Sequence, residues 1–268
     1  MAKQFKKTTQ FPDYILRDWE VTDGVNFAIA LSRITGWLLH VDWWTPTNDK
    51  EVVENMKSLR VYVGNNANQI YDFKGKQSLA TYTKNIIKPL AQKRGANHGG
   101  IATRYYGESI LFSLPLRVKP DENRIITAQK MIIANKDFLR KIPKRQDPNV
   151  PAHIAANFTF GHCNPFANAL SDLKNYKPVA LIAKKYSNLF GFSQPGYVHS
   201  FAIDHDGNAI DIWGKGTVEN IAQRFGVIEY ELSEVEHFNI SQKLKNNSTM
   251  KYGEIYEKST AIINEYFK

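Results

Sequence analysis

Only one of the 268 residues is a cysteine, Cys163, so no disulfide can form within the chain. Long apolar runs are missing too. The nearest approach, Val25 to Trp44, is interrupted by Ser32, Arg33, His40 and Asp42, which argues against a transmembrane helix. No apolar core follows the basic segment Met1 to Lys7. Thr8-Thr9-Gln10-Phe11-Pro12-Asp13 stands in its place, so no secretory signal is expected. CxxC, HExxH, P-loop, zinc-finger and RNA-recognition spacings are all lacking, and no metal or cofactor is expected. These absences together point to a cytoplasmic protein without a membrane partner.

Acidic residues are in deficit, with Asp+Glu 26 against Lys+Arg 35, a net charge of +9. The excess is scattered over small clusters: Lys3/Lys6/Lys7, Lys84/Lys88/Lys93/Arg94, Lys141/Lys144/Arg145 and Lys243/Lys245. Clusters this small read as solvated surface, the alternative being attraction to nucleic acid or an acidic partner.

What is plentiful is core-forming material. With 43% hydrophobic residues, the chain can bury one large or two small domains. The clearest break is 143–151, where Pro143, Pro148 and Pro151 with interspersed charges read as a linker. It separates an N-terminal α/β unit, 1–142, from a C-terminal unit, 152–268. A long amphipathic helix is predicted over Glu122 to Lys141, and another over Met250 to Phe267.

A shift of 139 residues without gaps aligns the two halves. The helical stripe Phe27/Ala30/Leu31/Ile34 falls on Phe166/Ala169/Leu170/Leu173. Arg60-Val61-Tyr62-Val63 falls on His199-Ser200-Phe201-Ala202, and Asp72, Gly75 and Lys76 fall on Asp211, Gly214 and Lys215. Gly24 stands where Cys163 is, and Arg60 where His199 is. A duplication is expected, its N-terminal copy lacking nucleophile and base.

In Gly161-His162-Cys163-Asn164-Pro165-Phe166, a helix starts at about Cys163, since proline is tolerated in a first turn. A cysteine there has its thiolate stabilised by the macrodipole and the unpaired amides. Gly161 is read as allowing close backbone approach. Tyr197 to Ile203 and Ala209 to Trp213 read as strands of a hairpin. A two-residue Asp206-Gly207 loop would put Asp211 on the wrong face. A three-residue loop, His205-Asp206-Gly207, pairs Phe201 with Asp211 and places His199 and Asp211 side by side. The sequence suits the second. Such an acid orients the imidazole and stabilises its charged form.

The stretch from Gly161 to Gly214 resembles the papain-like and transglutaminase-like Cys-His-Asp superfamily. It has a Cys-opened helix, a strand over Pro178 to Ala183, a His strand and an Asp strand, with 36 residues from Cys163 to His199. The 12-residue step from His199 to Asp211 is shorter than in the better-known members. The resemblance implies an α+β fold and a cysteine-dependent amide hydrolase or acyltransferase: a peptidase, a glutamine deamidase or a transglutaminase-like enzyme. Cys163, His199 and Asp211 would be catalytic, and a protein or peptide the substrate. The Cys163 amide and the side chain of Asn157 are candidate oxyanion donors, and His162 could reach the site. The alternative is a non-catalytic binding protein whose basic surface contacts nucleic acid or an acidic protein.

Overall fold

The computed structural model describes residues 11–45, 56–95, 99–143, 145, 148–186 and 194–268. Met1 to Lys7, Thr8-Thr9-Gln10 and Lys144, named above, lie outside these. The chain divides into two compact units, Met1–Arg145 and Gln146–Lys268. Each is mixed α and β, and the described residues form one five-stranded antiparallel sheet in each. Among the described residues no helix is long and apolar enough to cross a membrane.

Unit 1 runs α1 (Asp13–Val21), α2 (Val25–Thr35), β1 (Leu38–Thr45), β2 (Lys57–Gly64), β3 (Gln69–Asp72), β4 (Gly75–Ser78), α3 (Leu79–Tyr82), α4 (Lys88–Lys93), β5 (Gly100–Tyr106), α5 (Glu108–Leu111), α6 (Glu122–Ala134) and α7 (Lys136–Leu139). Its sheet order is β4-β3-β2-β1-β5. The helix predicted over Glu122 to Lys141 is broken at Asn135, whose side chain accepts the Phe138 N–H and so caps a new helix.

Unit 2 runs α8 (Ala152–Phe160), α9 (Cys163–Lys174), β6 (Lys177–Tyr186), β7 (Gly196–Ile203), β8 (Ala209–Asp211), β9 (Gly214–Gly216), α10 (Val218–Arg224), β10 (Val227–Ser233), α11 (Glu234–Asn247) and α12 (Thr249–Tyr266). Read from the other edge, its sheet order is β9-β8-β7-β6-β10. Phe166, Ala169 and Leu170 of α9 pack with Phe158, Ala202, Ile210 and Ile212. The stripe stops one turn early: Leu173 is exposed, beyond the cluster that buries the other three.

Matching local devices recur 139 residues apart. The helix caps Gly36 and Asn175 are both left-handed, with φ 71° and 56°. In β2 a bulge makes Leu59 the extra residue between the pairs Asp42↔Arg60 and Trp43↔Ser58. In β7 the same bulge makes Val198 extra between Leu181↔His199 and Ile182↔Tyr197. Asp72 accepts the Lys74 amide at 2.7 Å, and Asp211 accepts the Trp213 amide at 2.9 Å. Ser78 caps α3 and Thr217 caps α10.

That carboxylate turn shortens the strand predicted over Ala209 to Trp213. Asp211 draws the chain out of the ladder, and Gly214, at φ 101°, redirects it into β9. A Cβ at Gly161 would meet only the Asn157 carbonyl oxygen, at an ordinary 3.7 Å, so the structure shows no close backbone approach there.

Candidate active site

Cys163 is the first residue of α9, 7% exposed, where the amides of the opening turn lack helical partners. Its Sγ lies 3.3 Å from Tyr197 Oη. Burial alone would push the thiol up. The opposing charge of His199, helped by Tyr197 and the Ser200 amide, brings it down to about 7.

His199 sits on β7, fully buried, between the rings of Phe201 and Phe225. The β7–β8 pairs Ala202↔Ile210 and Ile203↔Ala209, extended by the Asp204 amide donating to the Asn208 carbonyl at 2.9 Å, leave His205-Asp206-Gly207 as a three-residue loop, with Gly207 left-handed at φ 85°. In this register His199 Nε2 lies 3.2 Å from Asp211 Oδ2. Nδ1 has no hydrogen-bond partner, and Cys163 is the charged neighbour acting most strongly on the ring. Burial pushes His199 down, but the thiolate charge and the Asp211 hydrogen bond prevail and raise it to about 9. Asp211 would also be raised by burial, yet Arg224 and His199 hold it far below the usual carboxylate range. Arg224, on α10, donates Nη1 to Asp211 Oδ2.

From the thiol a polar network runs inward, buried at Ser200, His237 and Ser241. Tyr197 Oη is 3.0 Å from Ser200 Oγ, which is 3.0 Å from His237 Nδ1. Asn168 donates to Ser241 at 2.9 Å and to Tyr252 at 2.6 Å, so its Oδ1 accepts from His237 Nε2 at 3.0 Å. His237 therefore carries its proton on Nε2 and accepts from Ser200 on Nδ1. Burial lowers it to about 4, which keeps the ring neutral at pH 7.

The other expected residues stand elsewhere. Asn157 lies on α8 with an exposed side chain that makes no hydrogen bond to Cys163. Its contribution is its backbone carbonyl, which accepts the His162 amide at 3.0 Å. His162 packs its ring 5.3 Å from that of Phe158. Among the described residues no His/Cys/Asp/Glu group could hold a metal ion.

Sequence reading missed Tyr197, Arg224 and His237. Arg224 had a signal, a cation closing the apolar run Ile221, Ala222. Tyr197 had none, because strand alternation separates it from Ser200 and only the bulge at Val198 brings their side chains together.

The positions 139 residues before Cys163, His199 and Asp211 hold Gly24, Arg60 and Asp72. Gly24 has φ 71°, and a Cβ there would lie 2.8 Å from the Val61 carbonyl oxygen. The backbone itself thus excludes a nucleophile. Arg60 and Asp72 are buried, and burial pushes Asp72 up to about 6. No protein-family model, curated protein or solved structure matches the chain.

Proposed function

We propose that unit 2 is a cysteine-dependent amide hydrolase or acyltransferase on a papain-like or transglutaminase-like core. The observation that carries this reading is one buried cluster: Cys163 opening α9, coupled to a His199 whose far nitrogen is held 3.2 Å from Asp211. In this reading the Cys163 thiol passes its proton to His199 Nδ1. The thiolate then attacks the amide carbonyl, the C–N bond breaks, and the leaving amine takes the proton from His199. Water or a second amine, deprotonated by His199, attacks the acyl carbon; the C–S bond breaks, and His199 returns the proton to the Cys163 sulfur. The Cys163 amide, free of a helical partner, is the oxyanion donor this scheme uses.

Unit 1 is, in the same proposal, a duplicated copy without this chemistry. The matching strand order, the bulge at one position and the paired carboxylate turns support it, because bulges are retained as designed features within families.

The test needs no substrate, since Cys163 is the only thiol. Its alkylation by iodoacetamide is followed against pH in wild type and His199→Ala. We expect a wild-type transition near the value of about 7, moved upward when the imidazolium is removed. An inert thiol, or a titration indifferent to His199, overturns the enzyme. It would favour the second reading, a binding protein, to which the 7% exposure of Cys163 already lends itself.

A further inference from the structure

Unit 1 contains a cavity of about 540 Å³ whose walls include Trp44, Met56, Lys57, Ser58, Arg94 and Arg117. It opens beside the residue that answers to Tyr197. In β7 the bulge sets Tyr197 opposite Ile182, with its hydroxyl on the thiol. In β2 the same bulge sets Ser58 opposite Trp43. Where unit 2 has a phenol ring, unit 1 has a small side chain and space. Ser58 Oγ is occupied, accepting the Arg117 amide at 2.8 Å.

The cationic wall is built rather than loose. Arg117 Nε donates to Asp23 Oδ2 at 2.7 Å, and Arg94 donates to both Asp23 oxygens. Arg94 also donates to the Ser58 and Leu59 carbonyls, each at 3.1 Å. Both guanidiniums are therefore fixed by a carboxylate that is itself buried. Lys57 is exposed, with its ammonium 5.4 Å from the centre of the Trp44 ring. Among the described residues lining the cavity, Lys57, Arg94 and Arg117 are basic and none is acidic. Trp44 and Met56 add an aromatic ring and a thioether to the lining. The volume far exceeds that of a lone phosphate and falls in the usual range for small-molecule sites.

We propose that this cavity binds a small aromatic phosphate. The ring lies against Trp44 and Met56. The phosphate dianion faces Lys57 and the Arg94–Arg117 pair, a match of charge as well as shape. The site uses residues of unit 1 alone and does not depend on the chemistry proposed for Cys163.

The probe is phenyl phosphate, titrated calorimetrically into the full chain. We expect saturable binding at one site, with phenol and inorganic phosphate each weaker by about tenfold or more. Lys57→Glu, an exposed substitution, is expected to weaken phenyl phosphate by about tenfold or more. Trp44→Leu is expected to lower its affinity without improving that of inorganic phosphate. Circular dichroism checks that both variants stay folded. Absence of saturable binding, phenol binding as tightly as phenyl phosphate, or an affinity unchanged in Lys57→Glu each overturns the proposal.

Discussion

At the scale of the residue, the thiol is governed by groups on three elements. Cys163 opens α9, Tyr197 and His199 stand on β7, and Asp211 ends β8. The Tyr197 hydroxyl lowers the thiol by hydrogen bonding, as a smaller contribution than the His199 charge. Tyr197→Phe is therefore expected to raise the thiolate titration above the wild-type value of about 7, but by less than His199→Ala does. Thiolate absorbance in the ultraviolet measures it, and an unchanged titration would mean that the hydroxyl does not solvate the thiolate. The charged groups here differ sharply in how visible they were. Cys163 announced itself by being alone before a proline-bearing first turn. His199 and Asp211 announced themselves through a hairpin whose Asp-Gly loop fixes the register. Asn157 was misplaced because its spacing from Cys163 spans a helix end, where side-chain direction is not a matter of counting.

At the scale of the element, burial decides the behaviour of β1. Asp42 accepts from Tyr62 Oη at 3.0 Å and from Thr103 Oγ1 at 2.5 Å, while its Oδ2 is buried without a partner. Burial pushes this carboxyl from 3.8 up to about 6. The folded state prefers the protonated form. Its contribution to stability is full below the ordinary pKa and is lost as pH rises through about 6. Asp42→Asn keeps the acceptor and removes the titration. Whatever its constant offset, the variant is expected to gain on wild type between pH 4 and 7, roughly, as read from paired thermal unfolding curves. A difference independent of pH would show that Asp42 is ionised throughout. The strands themselves were legible from alternation and turn residues, with Tyr197 to Ile203 found nearly whole. The bulges were not, because an extra residue in a ladder depends on the partner strand and leaves no local mark. Nor was the role of Arg94, one of a cluster read as solvated surface, since only the fold brings it to Asp23.

At the scale of the whole molecule, the two units have separate cores. Val150, Phe158, Phe166 and Leu170 belong to one, and Leu59, Tyr62, Tyr82 and Ile87 to another. Residues 146–268 expressed alone are expected to unfold in a single cooperative transition and to keep the low titration of Cys163, as judged by denaturant curves and alkylation. A gradual transition would show that unit 2 draws its stability from outside itself. The division at Arg145/Gln146 falls inside the proline-rich stretch from which the two-part organisation was read.

A molecule with a single sulfhydryl also has no internal route back from oxidation. Once the Cys163 sulfur becomes a sulfenic acid, no neighbouring cysteine can condense with it, and only a thiol from outside can restore it. Its 7% exposure, with the Tyr197 hydroxyl set against the sulfur, is then the chain's own defence.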